Sequence, residues 1–134
     1  MRNLFLAAIP VLLTSTSAFA ASDGATLYQQ NCASCHGSNL EGQPNWKQRK
    51  PDGKLPAPPH DVSGHTWHHS DQQNFEITKL GIEALVSGYK SDMIGFGDKL
   101  SDDEIWAILD YIKSTWPEEI RARRKANGLE RPEG

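Results

Sequence analysis

Two cysteines and a histidine fall within five residues, Cys32-Ala33-Ser34-Cys35-His36, and these are the only cysteines of the chain. Two thiols about one helical turn apart, with an imidazole directly after them, can add to the two vinyl groups of a haem and turn the histidine toward its iron. The same pair can be half of a zinc site or a redox disulfide. A zinc site needs a second pair, and His65-x-x-x-His69 has the right form. However, the 29 residues between Cys35 and His65 exceed the roughly 12 to 15 of such fingers, and the intervening sequence is Pro-rich. A redox pair needs a strand-helix-strand context that is missing here. A purely structural disulfide would close almost no loop and gain little chain entropy. Haem attachment is the strongest of these readings.

Attachment makes a further demand, a second axial ligand or an open site. Only Met1 and Met93 are methionines, and Met1 belongs to a predicted leader, which leaves Met93. It lies in a Gly-bounded loop, between Asp92 and Ile94 and close to Phe96, with no helical periodicity around it. A lone methionine commonly fills a core, but this setting favours ligation. Residues 60 to 69 add His60, His65, His68 and His69, read as rival haem ligands, as a copper or other metal site, or as loop residues packing around a haem edge, the last being favoured. Trp67 is a candidate for haem packing or a propionate hydrogen bond, and Trp46 for either surface or core.

The elements that must hold these residues are legible in part. Residues 1–20 carry one positive charge at Arg2, an apolar stretch from Leu4 to Leu13 and the ending Ala18-Phe19-Ala20, which is the pattern of a secretory signal peptide. The apolar stretch is too short to span a membrane. The expected product is exported to the periplasm, cleaved after Ala20 and about 114 residues long, with no membrane span. Its charge, 13 basic against 17 acidic residues once Arg2 is lost, does not suit a nucleic-acid binder. So small a domain buries a low fraction of its surface, and a bound group can supplement the core.

Ser22 or Asp23 can cap a first helix running to Cys35, with Gly24, Tyr28 and Cys32 on one face. From Gly37 to about Gln73 no period survives among many prolines and glycines, as befits a loop wrapped around something other than polypeptide. One or two short helices follow, broken around Gly81 and ended near Gly88. Ser101 with Glu104 forms a capping box before Ile105, Ile108, Leu109, Ile112 and Trp116, and Pro117 ends that helix. The boundaries predicted are a signal peptide over 1–20, a domain over 21–117 and a polar, partly helical tail over 118–134.

The run Gly24-x-x-x-Tyr28-x-x-x-Cys32-x-x-Cys35-His36-Gly37 resembles the first helix of class I c-type cytochromes of bacterial periplasmic type. The resemblance covers most of the domain. Ile108 and Tyr111 match the positions where the last helix of that family crosses the first, and Met93-Ile94-Gly95-Phe96 is similar to its Met-Pro-x-Phe segment, with Ile94 in place of proline. The resemblance implies an all-α fold of three to five helices with long loops around one haem c, held covalently through Cys32 and Cys35. It implies His36 and Met93 as iron ligands, with Phe96 beside the haem. It also implies a proline carbonyl on the ring N–H of His36, for which Pro58 is chosen over Pro56 and Pro59. The implied function is one-electron transfer rather than catalysis, with redox partner proteins docking transiently, and Lys47, Arg49, Lys50 and Lys54 offer a positive patch for that. The alternatives are a haem sensor or haem enzyme with a displaceable distal ligand, and a metal-handling protein using the histidine-rich loop.

Overall fold

The computed structural model describes residues 23–132, so the leader predicted over residues 1–20 lies outside the described residues. Six α-helices occur there: α1 (Gly24–Asn31), α2 (Ala33–His36), α3 (Asp71–Leu80), α4 (Ile82–Leu85), α5 (Asp102–Ser114) and α6 (Glu118–Ala126). A 3-10 turn (Thr66–His68) precedes α3. No strand occurs among the described residues, and the fold is all-α as expected. Two of the six helices, α2 and α4, are only four residues long.

Asp23 starts α1: its carboxylate accepts from the backbone N–H of Ala25 and Thr26, satisfying two donors that a helix N-terminus leaves free. The single helix expected from there to Cys35 is in fact two. Cys32 departs from helical geometry at φ −118° and serves as the last cap of α1 and the first of α2. Helical hydrogen bonds still run across the break, from the Cys32 N–H to the Tyr28 carbonyl and from the His36 N–H to the Cys32 carbonyl. At α5 the box of Ser101 and Glu104 forms as the sequence predicts, and three acidic residues in the first turn complement the helix dipole. A second box, Ser70 with Gln73, starts α3 at Asp71, inside the stretch read as loop. Gly81, at φ +81°, then separates α3 from α4.

The core forms where α1 crosses α5. Leu27 and Tyr28 from α1 meet Ile105, Ile108 and Ile112 from α5, with Phe75 of α3, Leu40, Leu100 and Trp116 closing the cluster. Burying each of these large side chains contributes about 1.5–3 kcal/mol. Gly24 permits the crossing, because a Cβ there would lie 1.9 Å from the Ala107 carbonyl oxygen of α5. Tyr28 and Tyr111 pack beside it with ring centroids 5.6 Å apart.

The polar segment after Pro117 is helical, but it is fastened to the rest of the domain. Arg124 of α6 is 1% exposed. Its guanidinium donates to the carbonyls of Trp67 and His69, both at 2.6 Å, and to Asp71 and Glu130. Lys113 of α5 bonds the same two carboxylates. Alternating acidic and basic residues read as a solvated face in the sequence; here their partners lie on three different elements.

Candidate functional site

His36 ends α2 and is buried, at 7% exposure. Its Nδ1 lies 2.8 Å from the Pro58 carbonyl oxygen, so Nδ1 carries the proton and donates. Pro58, of the three prolines considered, supplies that acceptor. Burial pushes His36 below the usual histidine range, partly offset by the Pro58 bond. The result is a neutral imidazole with its tautomer fixed and the lone pair on Nε2, the form a metal ion requires. Gly37, at φ +84°, turns the chain away, and its carbonyl accepts the Tyr28 hydroxyl at 2.8 Å.

Both cysteines are free thiols. Cys32 is half-buried against the core, and burial pushes its thiol up to about 11. Cys35 is exposed, one turn along from Cys32.

His60 was missed as a partner of His36. Their rings stack at 4.1 Å between centroids, with an angle of 25°. Nδ1 of His60 bonds the Thr66 hydroxyl at 2.7 Å, and the His60 carbonyl accepts from the indole N–H of Trp116 at 2.8 Å. Burial, followed by the neighbouring His36 and His65, lowers the His60 pKa to about 3, so the ring is neutral at physiological pH. No spacing rule links residues 36 and 60; only the return of the loop past α2 does.

The other loop histidines do not converge with it. His65 stacks on Trp46 and meets His69 edge-on, while His68 stacks on Trp67. Among the described residues no group of three or more His, Cys, Asp or Glu side chains is arranged to hold a metal ion, which leaves the metal-handling alternative without support. The Trp67 ring packs against the core, and its N–H donates to the Val62 carbonyl within the same loop.

Met93 is half-buried on the segment between α4 and α5, and its backbone N–H donates to the Ser91 hydroxyl at 3.0 Å. It is not among the side chains packed on the core, whereas Phe96 is. Of the large apolar side chains left exposed, Leu80, Leu85, Val86 and Ile94 flank Met93 in sequence, and Ile94 is 71% exposed. Two free thiols, an oriented neutral imidazole and a thioether are side chains of the kinds that hold a haem. Of the four loop cations, Lys50 and Lys54 are engaged by Asp92, Arg49 bonds the Gly53 carbonyl, and Lys47 sits over the Trp46 ring. No helix among the described residues is long and apolar enough to cross a membrane.

A family model described as cytochrome c matches residues 21–116. The chain is similar to the FixP subunit of a Cbb3-type cytochrome c oxidase from Sinorhizobium medicae (strain WSM419), at 28% identity over 72% of this chain and 30% of that protein. It is 29% identical to the CcoP subunit of the Cbb3-type oxidase from Azospirillum brasilense, over 73% of this chain and 29% of that protein. Cytochrome c-555 of Prosthecochloris aestuarii is 27% identical over 56% of this chain and 82% of its own length. The matches thus span less than a third of the two oxidase subunits and most of the small cytochrome. No solved structure gives a significant match.

Proposed function

Because the chain belongs to the cytochrome c family, we propose that it is a periplasmic one-electron carrier, with one haem c tethered by Cys32 and Cys35 and ligated by His36 and Met93. The observation that carries this reading is the 2.8 Å bond from His36 to Pro58, which holds the ring neutral and leaves Nε2 free, on the same helical turn as two free thiols. Family membership brings with it covalently bound haem c and its iron. When bound, that group supplies ferric–ferrous chemistry at a potential that the protein's ligands and surroundings set.

The rest of the work falls to side chains. The two cysteines keep the group in place, and Pro58 orients the His36 ring and raises its basicity. Met93 offers a thioether, which favours the ferrous state relative to a second histidine. Phe96, Tyr28 and the α5 face would exclude water from the bound group, where net charge would be costly, and so would push the same way. Trp67 braces the loop near that pocket. Were His36 and Met93 both to hold the iron, the protein would leave no position there for a substrate, as a carrier requires.

Residues 1–20 act in this reading as the export signal, 21–117 as the haem-carrying domain and 118–134 as the polar segment. Redox partner proteins would dock transiently, at an interface near the small end of the known range. The test is carbon monoxide added to the reduced holoprotein. A carrier with both ligands in place leaves the spectrum unchanged, whereas a prompt shift assigns the chain to the sensor or enzyme class.

A further inference from the structure

The segment carrying Met93 is anchored unequally at its two ends. Downstream, the Phe96 N–H donates to the Thr78 carbonyl and the Gly97 N–H to the Lys79 carbonyl, both at 2.9 Å and both on α3. Phe96 packs against the core, and Leu100 beyond it is buried. Upstream the contacts are made by polar side chains. The Ser91 N–H donates to Glu83 at 2.6 Å, and the Asp92 carboxylate accepts from Lys50 at 2.9 Å and from Lys54. Those two lysines belong to a distant loop that closes on itself through the Lys50 N–H and the Lys54 carbonyl at 2.8 Å. Arg49 of the same loop lies over the Tyr89 ring at 5.4 Å. Asp92, next to Met93, is therefore where two loops remote in sequence are tied by charge. The tie is open to solvent, with the Asp92 side chain 57% exposed.

We propose that Asp92, Lys50 and Lys54 form an electrostatic latch that positions Met93, so that the hold on the distal ligand weakens with ionic strength while the domain stays folded. The inference rests on the reading of Met93 as the ligand. Exposed ion pairs are individually weak, and they weaken as salt shortens the Debye length from roughly 10 Å at 0.1 M to about 3 Å at 1 M. The downstream backbone bonds and the packing of half-buried Phe96 are not screened in this way. Opening the latch thus loosens the upstream end, which keeps the Ser91–Glu83 bond, and leaves the downstream end in place. Asp92, Lys50 and Lys54 are positioning residues here.

The test uses oxidised holoprotein with imidazole as a neutral competitor for the Met93 position, read as loss of the sulfur-to-iron absorption band. Asp92→Asn and the double variant Lys50→Gln/Lys54→Gln are each expected to raise imidazole affinity roughly three- to ten-fold at low salt, the scale of one or two exposed pairs. The two variants change the net charge in opposite directions, so an effect of charge at a distance would move them apart, whereas a latch moves them together. Asp92→Glu should restore wild-type affinity, and wild type in high salt should approach the variants. Equal affinities and equal salt dependence in all these proteins would overturn the latch alone, provided the wild type shows the band. A wild type without the band would remove the ligand reading and the latch with it.

Discussion

The two sides of the molecule, around His36 and around Met93, are built from different kinds of contact. On the first, a buried imidazole donates to the Pro58 carbonyl and stacks on a neutral His60, whose loop is held by Trp116, between α5 and α6, and by Arg124 of α6. Trp116 holds the His60 carbonyl, and Arg124 holds those of Trp67 and His69. On the second, a half-buried thioether is held upstream by a serine, a glutamate and three exposed charges. A ligand meant to stay is fixed by desolvated hydrogen bonds, which are costly to break; one fixed by surface charges is easier to exchange. With His36 and Met93 as the proposed ligands, the difference teaches that the permanence of each would be set by the loop behind it.

The comparison breaks most severely at Arg124. Arg124→Leu leaves the Asp71 and Glu130 carboxylates without their buried partner, at an expected cost of about 3–5 kcal/mol, with Arg124→Lys recovering part of it. Denaturant unfolding of the holoprotein measures this, and a negligible loss would mean that α6 is not gripping the loop. Next comes Gly24→Ala, where the new methyl group meets the Ala107 carbonyl and about 1–3 kcal/mol is lost as α1 and α5 separate. Thermal unfolding that leaves the midpoint unmoved would refute the close crossing.

A smaller effect is expected from pH. His60 is held neutral in the fold down to about 3, while in the unfolded chain it binds a proton near the ordinary histidine value of about 6.5. Between those values the unfolded state holds the extra proton, so stability falls as pH falls, by at most about 1.4 kcal/mol per pH unit. His60→Phe should flatten the profile in this window; a profile identical to wild type would mean that the ring is accessible to protons. Asp71 adds a separate loss further down. Burial alone would raise its pKa, but bonds from Lys113 and Arg131 and the Arg124 charge outweigh that and lower it. Its contribution is present above the ordinary carboxylate pKa, about 3.9, and fades as pH drops through the lower folded value. The smallest effect belongs to Asp92→Asn, which should leave the unfolding midpoint unchanged while altering ligand exchange. A large global destabilisation would show that the two sides are not built differently after all.

The sequence revealed the parts whose physics is local. Ser101 with Glu104 and the periodic isoleucines gave α5, and the glycine and tyrosine before the cysteines gave the face on which α1 meets it. Cys32, Cys35 and His36 stood out because they are adjacent. Ser70 with Gln73 was equally local, but it was lost inside a stretch read as one loop. What could not be read depends on tertiary return. His60 reaches His36 from 24 residues away, Arg124 reaches Asp71 across 53, and Asp92 finds lysines 38 and 42 residues earlier. Each involves a charged or polar residue whose solvated alternative was equally plausible until its partner was in place. The Pro58 carbonyl was anticipated only through the family resemblance.

The most direct test of the account is the optical spectrum of the oxidised, periplasmically matured protein beside that of Met93→Ala. The account predicts a weak sulfur-to-iron band at the red end in the wild type, lost in the variant, with Cys32, Cys35 and His36 intact in both. A wild type that lacks the band, or a Met93→Ala protein that keeps it, would contradict His36–Met93 ligation and with it the proposed carrier.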